Sequence, residues 1–329
     1  MYRAVNMCYN TRIAKKIWKL GCGLDLSPVI TKMGVLVVLM LIGYLCSKVG
    51  LTGPEANKHM SRIVLNVLIV GTILNSVINI EPTLSTREIF IFFGLVLAEF
   101  AVLGAVGWFF PSLLRIKGAD KGISRDLVMF MNNGFVGFPV VEVVFGTEAV
   151  FYASLTNIPF NILMYSIGVA QLRSSGEKAQ IRIKDMINAP MLATVAALIL
   201  FIIRIHIPAV IADTISSLAS ATIPMSMLII GTSLGGISLK SALGDWRAYA
   251  LSFGKLIVCP IAVWAVLRLF TQNAMMLGVL TIIAACPTAM ILTVLCLQYG
   301  RDESLASKTI FISTVLSAVT IPFILWLLM

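Results

Sequence analysis

The chain has 329 residues, 59% of them hydrophobic and only 12% charged, with a net charge of +10. A soluble domain is nearer half apolar and a quarter charged, so these residues could not clothe a water-soluble enzyme, and the apolar excess must face lipid. The basic residues lie between apolar stretches, where they orient a membrane protein, and nucleic acid is excluded as a partner.

The first 27 residues form a basic arm carrying Arg3, Arg12, Lys15, Lys16 and Lys19. Arg12–Leu20 reads either as a short amphipathic helix on the membrane surface or as a start-codon extension. It has neither the apolar core nor the small-residue cleavage site of a removable signal peptide.

A bilayer-spanning helix needs about 20 mostly apolar residues. Ten such stretches follow: Pro28–Val49, His59–Ile78, Glu88–Leu114, Ile123–Phe145 and Glu148–Leu172, then Ala189–Ile205, Val210–Leu234, Trp246–Phe270, Asn273–Gln298 and Glu303–Met329. Arg, Lys or both flank every odd-numbered loop, including Arg115, Lys121, Arg173, Lys178, Lys184, Lys240 and Arg301, whereas the even loops offer Arg87, Arg204 and Arg268. The positive-inside rule therefore makes the odd loops cytoplasmic and places both termini outside a multi-pass protein of the cytoplasmic (inner) membrane. The basic arm runs against that placement.

The polar stretch 173–188 divides the spans into a first five-helix repeat, 28–172, and a second, 189–329. An odd number of spans per copy inverts the second one. Leu68–Leu74 resembles Leu228–Leu234, and Gly146 with Ala153 and Ser154 resembles Gly300 with Ala306 and Ser307. The expected fold is thus an all-α membrane protein of ten transmembrane helices in two inverted five-helix repeats.

The fourth span holds Asn132, Asn133, Gly134, Gly137 and Pro139 at mid-depth. Gly costs about 1 kcal/mol and Pro about 3 kcal/mol in a helix interior, and a freed backbone group in lipid must find a partner. So many breakers predict an unwound segment at a substrate site. The ninth span carries the counterpart Pro287, Thr288 and Ala289; counted from the matched glycines, Asn133 corresponds to Pro287. Facing half-helix N-termini suit an anion. Pro159, Pro224, Pro260 and Pro322 read as ordinary kinks.

Glu99, Glu142 and Lys255 are ionisable residues inside spans, candidates for a coupling or path role. Glu142 can equally lie at the interface, and Lys255 can snorkel. Asn66, Thr232 and Asn157 either line a polar path or bond between helices. The six cysteines, Cys8, Cys22, Cys46, Cys259, Cys286 and Cys296, show no close metal-ligand spacing, and only His59 and His206 could supply imidazole. They read as small buried hydrophobes, and no metal or other cofactor is expected. A Gly-rich phosphate loop, a G-x-S-x-G elbow and an ATP-binding domain are all missing, so the reading is not an enzyme, and uphill movement would draw on an ion or solute gradient.

Four groups of residues carry a resemblance to the auxin efflux carrier family in its compact bacterial form. They are Asn132 to Pro139 with Gly146; Ile223, Pro224, Gly231, Thr232 and Leu234; Cys286 to Ala289; and Tyr299, Gly300, Asp302, Ala306 and Ser307 with Ser313, Thr314 and Pro322. The resemblance implies a fold like that of bile-acid symporters and sodium/proton antiporters. Spans four and nine would be broken and cross, and spans one, two, six and seven would form a scaffold that often dimerises as a homodimer. It further implies carriage of an organic anion, auxin-like or a malate- or malonate-like dicarboxylate, with Asn132 and Pro287 as the crossover residues.

The chain departs from the family at Met131, where the plant carriers have Pro, and at Val70, Lys255 and Met290–Ile291, where many members have Pro, Arg and Asn. Amides at Asn132 and Asn133 cannot titrate as the antiporters' carboxylates do, which leaves proton coupling to Glu99, Glu142 or the substrate. The sequence reads as a secondary transporter of a small organic anion working by alternating access. A channel or receptor on the same scaffold and a cation/proton exchanger are the alternatives.

Overall fold

The computed structural model describes residues 27–78, 86–116, 120–172, 187–203, 207–236, 244–299 and 301–328. The basic arm, the loop charges Lys117, Arg173, Lys178, Arg182, Lys184 and Lys240, Arg204, His206 and the matched Gly300 lie outside the described residues. Every regular element among those described is a helix, joined by one isolated antiparallel bridge.

In chain order these are α1 (Ser27–Lys48), α2 (Pro54–Ile78), α3 (Thr86–Leu113), α4a (Asp120–Met129) and α4b (Asn133–Phe145), with α5 over residues 147–172. The second half has α6 (Ala189–Ile203), α7 (Ala209–Gly235), α8 (Trp246–Leu267), α9a (Ala274–Ala285), α9b (Ile291–Gln298) and α10 (Ser304–Leu328). Five of them, α2, α3, α7, α8 and α10, are long and apolar enough to cross a membrane; α1 from Gly34, α4b, α6 and α9a are shorter apolar helices.

The punctuation is local chemistry. Pro54 sits in the first turn of α2 after an extended Gly53, where its missing amide is harmless. Asn273 caps α9a by accepting from the amides of Met275 and Met276. Gly146 joins α4b to α5 at φ 92°, a conformation other residues rarely adopt. Pro224 and Pro322 lie inside continuous helices, and a widened π turn, Gly254–Val258, precedes Pro260 in α8.

α7 packs along α1 and α2, and α6 packs on α2. Small residues allow this close approach, as is common between membrane helices. A Cβ on Gly231 would fall 1.9 Å from the Met40 carbonyl, and one on Gly43 would fall 2.2 Å from the Leu228 carbonyl. Thr232 donates to the carbonyls of Gly43 and Leu228, and Thr72 bonds Thr222 at 2.7 Å. Thr232 therefore serves as a helix–helix bond, one of the two roles open to it. The outward faces of α1, α6 and α7 expose Val38, Leu41, Leu45, Ile202 and Val210, as lipid requires. A second group centres on α9a, which is buried from Val279 to Ala285: α3, α8 and α10 pack on it, and α4a packs on α3, α8 and α10.

Candidate functional site

The interruptions predicted in the fourth and ninth spans meet. Both segments leave the helix for a few residues, at 130–132 and 286–290, and Met131 pairs with Thr288 in the antiparallel bridge. The Asn132 amide donates to the Pro287 carbonyl at 2.8 Å, and the Ala289 amide donates to the Phe130 carbonyl at 3.2 Å. Each break thus satisfies the other's backbone groups where lipid could not.

The breaks have different local causes. Cys286 precedes Pro287 and adopts the extended φ −63°, ψ 150° that proline imposes on its predecessor, which stops α9a at Ala285. In the fourth span the break lies upstream of its proline. A π turn, Asn133–Gly137, closes by Gly137 N–H to the Asn132 carbonyl, and Pro139 sits in the first turn of the helix that follows. The wider turn accommodates Pro139 without an opening there. The backbone sets Asn132 against Pro287 and Met131 against Thr288.

Side chains complete the crossing. Asn132 Oδ1 accepts from the Phe135 amide at 3.3 Å and caps α4b. Asn133 Nδ2 donates to Thr156 Oγ1 in α5 at 3.2 Å. Thr288 Oγ1 donates to the Leu127 carbonyl in α4a at 2.8 Å, while its amide donates to Ser313 Oγ in α10. Asn132 is 5% exposed and Asn133 4%, yet Asn132 Nδ2 and Asn133 Oδ1 have no hydrogen-bond partner among the described residues. A buried amide group without a partner costs about 1–3 kcal/mol, and here one donor and one acceptor are left over side by side in sequence.

Gly134 faces Ile69 and Leu65 of α2, and a Cβ on Gly137 would lie 2.9 Å from Ile283 and 3.6 Å from Cys286 Sγ. Pro139, Pro287 and Ala289 are buried. Beside the crossing, a cleft between α1, α4b, α7 and α10 is lined by Met40, Val136, Val140, Met227, Thr314 and Ser317 among others.

Other predicted residues stand elsewhere. Asn66 is exposed and bonds the Arg62 carbonyl of its own helix, so it is turned away from the crossing. Glu142 is half-buried near Gly146 and accepts from Thr147 Oγ1. Asn157 reaches Thr194 of α6, an interhelical bond. Lys255 is fully buried and its Nζ has no hydrogen-bond partner among the described residues. It does not snorkel, because α8 turns it inward. Glu99 is likewise fully buried without such a partner.

Asp126 escaped the sequence reading, although it lies inside the fourth apolar stretch, Ile123–Phe145. It is fully buried in α4a and accepts from Gln171 Nε2 of α5 at 3.0 Å, while Arg125 stacks on Trp108 at 3.3 Å. An acidic residue already inside an apolar run was the available signal. Where α4a and α8 begin, Arg247 bridges Asp120 and Asp245 at 2.6 Å and 2.8 Å. Asp245 caps α8, and the Arg247 guanidinium beside it holds its carboxyl below the usual range.

The sequence model of the membrane transport protein family matches residues 28–325. An uncharacterised transporter of Methanothermobacter thermautotrophicus is 27% identical over 299 residues, covering 88% of this chain and 94% of that one. An uncharacterised transporter of Methanocaldococcus jannaschii is 27% identical over 305 residues, covering 90% and 97%.

Proposed function

We propose a function from one premise: the chain belongs to the membrane transport protein family, that of the auxin efflux carriers. It is therefore a multi-pass membrane transporter that sits in a lipid bilayer, not an enzyme. The finer reading is a secondary transporter of a small organic anion, auxin-like or a dicarboxylate such as malate or malonate, in the cytoplasmic membrane.

The observation that carries it is the crossing itself. Two interrupted helices meet through Asn132 and Pro287, and the unpaired Asn132 Nδ2 offers a donor at the N-terminus of α4b. A donor there, with the positive end of a helix behind it, suits a carboxylate oxygen. Asn133, Gly134, Thr288 and Ala289 would shape the rest of the pocket, with Gly137 and Pro139 supporting α4b. A cleft lined mainly by apolar side chains lies beside it.

Alternating access would move the group around α9a against the α1, α2, α6 and α7 group. The reading retains ten spans as two inverted repeats, 28–172 and 189–329, joined by the loop 173–188 after the arm 1–27. Both termini lie outside in this reading, and the exposed scaffold faces are where two copies would meet.

The test is a thermal-shift screen of the purified protein against malate, malonate, indole acids and bile acids, followed by counterflow in proteoliposomes. Saturable counterflow of a stabilising acid supports the reading. Flux without saturation would assign a channel instead, and binding without counterflow a receptor.

A further inference from the structure

The crossing makes no use of Glu99 and Lys255, yet both are fully withdrawn from solvent. Neither the carboxylate oxygens nor the ammonium nitrogen has a hydrogen-bond partner among the described residues. An ionisable group at membrane depth is expensive and persists where it has a role, and a buried charge is tolerated when a second one compensates it. α3 and α8 pack on one another, and one turn after Lys255 the Cys259 thiol donates to the Val128 carbonyl, two residues before the break in the fourth span.

Lys255 is within electrostatic reach of Glu99 and of the thiols of Cys259 and Cys286. Cys286 is the residue before Pro287, whose carbonyl accepts from Asn132. Of the other charged groups on the helices packed against α3 and α8, Asp120 pairs with Arg247, Asp126 accepts from Gln171 beside Arg125, and Lys308 lies near Asp245. Lys255 and Glu99 therefore lie buried behind the crossing within electrostatic reach of one another, without a direct ion pair between them.

We infer that Glu99 is a proton-accepting coupling residue. An organic anion entering the Asn132–Thr288 crossing replaces the Glu99 carboxylate as counter-charge to Lys255, and Glu99 takes up a proton from the aqueous phase then open to it. The inference rests on the anion-transport reading above. One anion and one proton enter together: an O–H bond forms at Glu99, Lys255 stays an ammonium, and for a monoanion the net charge of the interior is unchanged. Release reverses both steps, so the anion would travel with a proton. Glu99 touches no substrate and acts through the field it shares with Lys255.

The test is calorimetric titration of the full chain with malonate above neutral pH, in two buffers of different ionisation heat. Wild type should take up one proton per malonate, with affinity rising about tenfold for each unit fall in pH. Glu99→Gln should bind malonate with no proton uptake and no such slope. Binding by wild type without proton uptake, or with the same uptake in Glu99→Gln, overturns the inference and leaves the anion reading standing.

If malonate does not bind, the ligand-free protein decides the point by infrared difference spectroscopy across a pH titration. A carboxylic-acid carbonyl band should titrate in wild type, vanish in Glu99→Gln and persist throughout in Lys255→Met, where the carboxyl has lost its cation. Bands unchanged by both variants overturn the inference independently of any substrate.

Discussion

The backbone amide of Asn132 donates to the carbonyl of Pro287 at 2.8 Å, across 155 positions of sequence. With the reciprocal bond from Ala289 to Phe130, it turns two defects into one shared structure. A break in either helix alone would strand polar backbone in an apolar interior. Together the breaks supply each other's partners, and the side chains of Asn132 and Asn133 are left to do something else.

Asn132→Ala removes both the cap on Phe135 and the unpaired Nδ2 donor. Losing the cap should cost about 1 kcal/mol of stability, so folded protein should still be recovered by size-exclusion chromatography. Transport should fall by at least about tenfold, the equivalent of one hydrogen bond to a charged group. Unchanged uptake into proteoliposomes would remove Asn132 from the site.

Thr288→Val keeps the shape of the side chain but leaves the buried Leu127 carbonyl without the bond it receives at 2.8 Å. The expected loss is about 1–3 kcal/mol, read as a lower midpoint of thermal unfolding. Thr288→Ser should recover most of it, because the hydroxyl rather than the methyl holds the break between α9a and α9b to α4a.

Gly231→Ala would place a Cβ 1.9 Å from the Met40 carbonyl, and backbone cannot yield as a side chain can. α1 and α7 must then separate, at about 1–3 kcal/mol or more. Gly94→Ala in α3 meets nothing within 4 Å and should be neutral or stabilising by about 0.5–1 kcal/mol. Comparing the two unfolding midpoints separates close packing from helix propensity.

Asp245 tests the contacts where α8 begins. Hydrogen bonds from Arg247 hold its carboxyl below the usual range, so its contribution to stability is present above the ordinary carboxylate range. That contribution is lost as pH falls through the depressed folded value. Asp245→Asn keeps the cap and loses the charge, whereas Asp245→Ala loses both and should cost about 1 kcal/mol near neutral pH. The gap between wild type and Asp245→Asn, measured by thermal unfolding, should close as the solution is acidified below that value.

Much of the architecture was legible from local chemistry. The helix ends fall within a few residues of the apolar stretches, and the run from Asn132 to Pro139 announced an interruption because Asn, Gly and Pro each oppose a continuous helix. Where the interruption falls was not legible. Pro139 attracts attention, but the π turn at Asn133–Gly137 absorbs it, and the chain opens at Phe130–Asn132 because the Pro287 carbonyl and the Ala289 amide are there to pair with it.

The sequence by itself determined a membrane protein of long apolar helices with breakers in the fourth and ninth, since composition and propensity act residue by residue. Only the tertiary structure decided the register of the crossing, the burial of Asp126 and Lys255, and the turning of Asn66 away from the site. Each of those depends on what a distant helix presents: Gln171 beside Asp126, Thr288 opposite Met131, and α3 with Glu99 facing the interior that receives Lys255. A residue's type sets what it can bond, but in a helix of nearly uniform apolarity, packing sets which way it faces.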